Sequence, residues 1–224
     1  MFVLGKHLLP ILHALAQSQF QMTPQLNITQ TLADRRPHAH AEAAAARLSL
    51  RSSRQAYPGR HPATAYLNIA CWNIRSLSVH NYCDSHSSWK SALIGLELAR
   101  LSIDICALSE TWLTGTGSIR EGHYTLFCSG YPDGSRPRHG SGFAVRNSLL
   151  PCMENPVAVS PRLMTLPLKL SSGGYLTVLS AYAPPRAASS EDKDAFYNQL
   201  CRSVRLIRRG DRLALAGDFN ARVG

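Results

Sequence analysis

The sequence predicts an α/β protein built as a two-sheet sandwich, and three observations carry the prediction. Short apolar, strand-like runs alternate with two helix-like segments along most of the chain. The runs are numerous enough to form strands that face strands, with the helices outside. Four of the runs (66–70, 104–108, 175–179 and 212–216) are followed closely by polar residues of chemical interest: Asn73, Glu110, Tyr182, and Asp218 with Asn220.

Residues 1–64 precede this pattern. They mix Gln, Thr, Ala, Arg, His and Pro without a sustained apolar period, apart from a weak helix expected at 41–50. Such composition buries too little apolar area to offset backbone ordering, which predicts a disordered basic N-terminal extension. The apolar run at 8–16 contains Pro10 and His13 and is far shorter than a membrane span. It reads as an incidental part of the extension rather than a secretory or transit signal.

The predicted domain covers 65–224 and begins just after Pro58, Gly59 and Pro62, which mark a boundary. After the first strand, a loop leads to a helix at 89–101, where Leu93, Ile94, Leu96, Leu98 and Leu101 approximate one face. The second strand delivers Glu110. Strands at 124–128, 141–147 and 162–170 follow, and Ser171, Ser172, Gly173 and Gly174 form a hairpin turn into the strand that ends at Tyr182. The last helix starts at Ser190 as its cap. Glu191, Asp192 and Asp194 fill its first turns and Arg205, Arg208 and Arg209 its last, and Gly210 stops it, so the charges match the helix dipole.

Charge favours a polyanionic partner. Lysine and arginine number 24 against 14 acids, a net charge of +10. Half of that excess lies in residues 1–65, so the domain itself is only moderately basic. The six cysteines are scattered without Cys-x-x-Cys pairs or clustered Cys/His spacing, which fits a reduced intracellular protein and no structural zinc.

Polar residues gathered at one end of adjacent strands can converge on a ligand. One carboxylate can hold a hard cation, a second can orient and deprotonate a water, and neutral amide and phenol groups can hydrogen-bond a phosphate without repelling it. Each residue also has a plain structural reading: Glu110 as a turn cap, Asp218 as a turn aspartate, Asn73 as a strand-end residue bonded to loop backbone, Tyr182 as a ring against the sheet edge.

The order and wording of these segments favour the chemical reading. Leu108-Ser109-Glu110-Thr111-Trp112, Gly142-Phe143-Ala144-Val145-Arg146-Asn147-Ser148-Leu149 and Gly217-Asp218-Phe219-Asn220-Ala221-Arg222-Val223-Gly224 resemble the endonuclease/exonuclease/phosphatase family. Within it they are most similar to the apurinic-type endonuclease part of non-LTR (LINE) retrotransposon polyproteins, which also carry a reverse transcriptase, and of host proteins derived from them. The resemblance spans about 66–224 and implies the four-layer version of the sandwich.

By the same resemblance, Glu110 binds a catalytic Mg2+, with Mn2+ as a substitute, and Asp218 orients the attacking water. Asn220 donates to the phosphoryl oxygen, Asn73 helps organise the metal and phosphate site, and the Tyr182 hydroxyl contacts the scissile phosphate. The implied substrate is DNA, held by its backbone with little sequence preference, and the implied setting is the nucleus, with no membrane partner. In the basic loop 129–140, Arg136 and Arg138 are candidate contacts to the DNA backbone, against the plainer reading of a solvated loop. His139 precedes a strand upstream of the Tyr182 segment and is not expected to stand in for the family's closing histidine.

The chain contains no Ser-Asp-His triplet, a motif with which the family's domains close, and Asn220 lies four residues from its last residue. The expectation is a domain incomplete at its C-terminal end and impaired in catalysis. Two other readings compete: a catalytically inactive domain that binds nucleic acid or protein, and a phosphatase of the same superfamily, since fold alone does not fix the substrate.

Overall fold

The computed structural model describes residues 27–29, 43–50, 65–77, 87–132, 139–171 and 173–220. Their strands form two sheets. The first has seven strands in the order β1 (Asn27–Thr29), β2 (Ala43–Leu50), β3 (Ala65–Asn73), β4 (Ile105–Ser109), β7 (Ser141–Arg146), β6 (Tyr124–Ser129) and β5 (Thr116–Glu121). The second has four: β11 (Arg212–Asp218), β10 (Tyr175–Tyr182), β9 (Leu163–Lys169) and β8 (Val157–Ser160). The helices are α1 (Ser87–Arg100) and α2 (Ser190–Arg205).

Two strand pairs are parallel, β3 with β4 in one sheet and β10 with β11 in the other. Parallel neighbours need a crossover, and α1 and α2 supply the two crossovers. The registers are flush at the C-terminal ends: Asn73 lies opposite Ser109, and Tyr182 opposite Asp218. Because β11 faces β3 and β10 faces β4, both pairs end at the same edge of the sandwich.

The core explains why these sequences form these layers. Leu67, Ile69, Ile105, Ala107, Phe143 and Val145 of the first sheet pack against Met164, Leu166, Leu168, Leu176 and Val178 of the second. The opposite face of the first sheet presents Cys106, Leu108, Leu126 and Ala144 to Ile94 and Leu98 of α1. The opposite face of the second presents Leu163, Leu179 and Ala181 to Phe196, Leu200 and Val204 of α2. The result is four layers, helix, sheet, sheet and helix, as the sequence led one to expect. Strand β4 is buried on both faces, so it reads as the continuous run Ile-Cys-Ala-Leu-Ser rather than as an alternation. Burial also pushes the Cys128 thiol up to about 12, which leaves it an inert hydrophobe.

Element boundaries shift modestly. Helix α2 is capped by Ser189, one residue earlier than expected: Ser189 keeps an extended backbone and its side chain accepts from the Asp192 N–H at 3.1 Å. The hairpin between β9 and β10 turns at Gly173 and Gly174, with φ of +87° and +73°. Strand β5 was not foreseen, and its exposed residues offer no apolar alternation to read. No described helix is long and apolar enough to cross a membrane.

The N-terminal arm departs from expectation. The helix expected at 41–50 is instead strand β2, which runs antiparallel along β3 from Ala43 opposite Trp72 to Leu50 opposite Ala65. Strand β1 pairs with it in turn, so these two pieces of the extension are ladder partners rather than disordered chain. The physical reason is the outer edge of β3, a row of backbone donors and acceptors that β2 satisfies and a local helix would leave open. The remainder of 1–64, including the apolar run at 8–16, lies outside the described residues.

Removing residues 1–64 therefore strips β3 of its outer partner, β2. The shortened chain is expected to self-associate in sedimentation velocity at concentrations where the full chain is monomeric. A shortened chain that stays monomeric would show β2 to be dispensable.

Candidate active site

Three of the candidate residues reach the edge by simple continuation of strand alternation. Ile69 faces the inter-sheet core with Cys71 packed against it, and Asn73 continues that series. Leu176 and Val178 lead in the same way to Tyr182 on β10, and Ala214 and Ala216 lead to Asp218 on β11. Glu110 does not fit this rule. Ile105 and Ala107 face the other sheet while Cys106 and Leu108 face α1, so a regular strand would send residue 110 toward α1. Instead Glu110 has φ +58°, a left-handed backbone that turns its side chain into the space between the sheets.

The four side chains then meet. Asn73 Nδ2 donates to Glu110 Oε1 at 2.7 Å and lies 3.4 Å from Asp218 Oδ2, so one amide stands between two carboxylates from different sheets. The Tyr182 hydroxyl donates to the same Glu110 Oε1 at 3.2 Å. Burial, and then the neighbouring Glu110 carboxylate, push the Tyr182 phenol up to about 12, so it is a protonated donor near neutral pH. Asp218 is oriented from a second side as well, its Oδ1 accepting from the Asn220 backbone N–H at 2.9 Å.

Local backbone geometry holds this arrangement. Asn73 Oδ1 accepts from the Arg75 N–H at 3.1 Å, closing a turn in which Arg75 and Ser76 both have positive φ. That turn runs beside the end of β4, with Ser76 N donating to Glu110 O at 2.6 Å and Leu77 N to Thr111 O at 2.8 Å. On the other sheet, Gly217 pairs with Ala181 at φ +139°, and a Cβ there would fall 1.9 Å from the Ala181 carbonyl oxygen. Only glycine permits β11 to approach β10 this closely just before Asp218.

The structure thus brings Asn73, Glu110, Tyr182 and Asp218 into one hydrogen-bonded cluster. Asn220 stands at its exposed rim, with φ +46°, and one of its amide hydrogens is engaged by the Ala183 carbonyl at 2.7 Å. Its second amide hydrogen is the one that can address a ligand. Arg136 and Arg138 lie outside the described residues.

Two further residues lie beside the site. His139, not expected to stand in for a catalytic histidine, has its ring 6.0 Å from that of Tyr182, because the residues that enter β7 are hydrogen-bonded to the turn after β4. Arg162, which no motif marked, places its guanidinium 4.9 Å from the centre of the Tyr182 ring. A groove of about 280 Å³ lined by Tyr175, Thr177, Arg208 and Asp211 lies at the opposite end of β10 and contains none of these groups.

The donor set is oxygen-rich and hard: a carboxylate held by an amide and a phenol, with a second carboxylate one amide away. Among the described residues no group of three or more His, Cys, Asp or Glu forms a metal cage. One or two carboxylates with waters and a substrate oxygen are what Mg2+ takes, so the residues fit that ion.

The left-handed Glu110 has a stability consequence. A side chain in this region costs roughly 1 kcal/mol relative to glycine. Glu110→Gly is expected to be more stable than Glu110→Ala by about 1 kcal/mol in urea unfolding, although both lose the carboxylate. Equal stability of the two variants would show that the backbone is not held left-handed.

No protein-family model matches the chain. Craniofacial development protein 2 from Bos taurus is 29% identical over 164 residues, covering 70% of this chain and 24% of that protein. The same protein from Tragulus javanicus is 28% identical over 164 residues, covering 70% of this chain and 25% of its own length. The chain thus spans about a quarter of these relatives. Among solved structures, the endonuclease domain of TRAS1, a telomere-specific non-LTR retrotransposon, aligns with a TM-score of 0.42 at 16% identity, over 58% of this chain and 52% of that one.

Proposed function

We propose that this chain carries a Mg2+-dependent site that hydrolyses phosphodiester bonds of DNA, of the apurinic-type endonuclease kind found in non-LTR retrotransposons and in host proteins derived from them. The observation that carries the reading is the meeting of Glu110 and Asp218, from two different sheets, on the single amide of Asn73. Two carboxylates are not set against each other at the end of a core without a use for their charge. Apart they would be ordinary turn residues, and together they are a receptor for a cation and an activated water.

In this reading Glu110 would hold the Mg2+, and Mn2+ could replace it, with Asn73 and Tyr182 fixing the carboxylate. The ion supplies Lewis-acid stabilisation of charge on the phosphate. Asp218, oriented by Asn73 and by the Asn220 backbone, accepts the proton of the attacking water. The protonated Tyr182 hydroxyl and the second amide hydrogen of Asn220 are neutral donors for phosphate oxygens, and neutrality matters because the substrate already carries negative charge. Contacts of Lys and Arg with the DNA backbone would give salt-dependent affinity with little sequence preference, and the nucleus is the setting that a DNA substrate suggests. Turnover is expected to be slow, since two carboxylates form a minimal site.

Supercoiled plasmid incubated with the chain and Mg2+ tests the reading. Slow nicking is expected, reduced at least roughly a hundred-fold by Asp218→Asn or Glu110→Gln. DNA binding without Asp218-dependent nicking would favour a non-catalytic binding domain. Phosphate release from a small phosphomonoester with the plasmid intact would favour a phosphatase.

A further inference from the structure

Arg162 lies in the turn between β8 and β9, partly buried. Its Nη1 donates to the carbonyl oxygens of both Tyr182 and Ala183, each at 3.2 Å, and its guanidinium carbon lies over the Tyr182 ring, 4.9 Å from the ring centre. Its Nη2 lies 2.9 Å from His139 Nε2. Arginine has only donors, so His139 Nε2 must accept, and the imidazole proton resides on Nδ1.

His139 belongs to the segment that clasps the Glu110 turn. The Trp112 N–H donates to the His139 carbonyl at 2.6 Å and the Thr111 N–H to the Gly140 carbonyl at 3.2 Å. The fit is tight: Gly140 has φ +105°, and a Cβ there would lie 2.1 Å from Thr111 Oγ1. Glu110, Trp112 and His139 all hold left-handed backbones at this clasp. These contacts form a closed circuit. Glu110 bonds Tyr182, Tyr182 and its carbonyl bond Arg162, Arg162 bonds His139, and His139 bonds the backbone of Trp112, two residues from Glu110.

We propose that Arg162 is the positioning residue of the site, fixing the Glu110 carboxylate from both directions through Tyr182 and through the His139 clasp. It touches neither Glu110 nor, in this role, the substrate. The strained turn at 110–112 stays in place only while surrounding contacts over-determine it, and Arg162 is where the two sets of contacts join. Lysine is a poor substitute, because a single ammonium point charge cannot span the carbonyls bonded to Nη1 and the imidazole bonded to Nη2 as the wide guanidinium fork does. The circuit stands on its geometry, and its consequence for metal binding rests on the proposed function.

The test uses the full chain as wild type, Arg162→Ala, Arg162→Lys and His139→Ala. Amide hydrogen exchange at Thr111 and Trp112 is the first readout, with β4 and α2 amides as the control for folding. Exchange at 111 and 112 is expected to quicken about ten-fold or more in Arg162→Ala and His139→Ala, to remain fast in Arg162→Lys, and to be unchanged in β4 and α2. Mn2+ titration is the second readout, with affinity expected to fall roughly ten-fold to a hundred-fold in Arg162→Ala. If Arg162→Ala loses protection everywhere, His139→Ala is judged on the same two amides. Unchanged exchange at 111 and 112 in the variants that fold, or restoration by Arg162→Lys, overturns the proposal. Wild type that binds no Mn2+ while the exchange pattern holds would reject the metal reading and leave the circuit standing.

Discussion

The site depends first on apolar packing between the two sheets. Ile105, Ala107, Leu176 and Val178 are almost wholly buried between them, and burying such side chains contributes on the order of 1.5 to 3 kcal/mol each for the larger ones. That packing sets β11 against β3 and β10 against β4, and the flush parallel registers do the rest. No polar contact at the edge needs to be strong enough to recruit its partner. Asn73, Tyr182 and Asp218 are delivered by the same alternation that buries the core beneath them, so folding and assembly of the site are one event.

Glu110 is the exception, and backbone strain accompanies it. Among the described residues the non-glycine positions with positive φ are Arg75, Ser76, Ser102, Glu110, Trp112, His139 and Asn220. All but Ser102 lie in the loops at the edge that carries the site. Strain concentrated at one edge, against an otherwise regular sandwich, is the pattern of a site whose geometry is imposed by neighbours rather than adopted freely. The Arg162 circuit and the close approaches at Gly140 and Gly217 are the neighbours that impose it.

Much of this was legible from residues alone. The apolar runs of β4 and β10, covered on both faces, and those of β3 and β11, partly covered, announced strands, and the polar residues just beyond them announced the edge. The two helices were readable in place but not in detail: of the apolar residues read as one face of α1 only Ile94 and Leu98 are buried, Leu93, Leu96 and Leu101 being exposed, and α2 ends at Arg205, before Arg208 and Arg209. What escaped has a common physical cause, that long-range partners decide it. Strand β2 forms because β3 has an open edge, which no local propensity in 43–50 reveals. Strand β5 is an exposed edge strand without apolar alternation. The left-handed Glu110 follows from a clasp about thirty residues away. Arg162 and His139 carry no motif and acquire their role only when β8, β9 and β10 pack beside the end of β4.

In the proposed function, groups from both sheets form one cation site. Mn2+ titrated into the isotopically labelled chain tests it most directly, through paramagnetic broadening of backbone amide resonances. Broadening is expected to centre on Asn73, Glu110, Tyr182 and Asp218 together and to be abolished by Glu110→Gln. Broadening confined to one sheet, or persisting in Glu110→Gln, would contradict it.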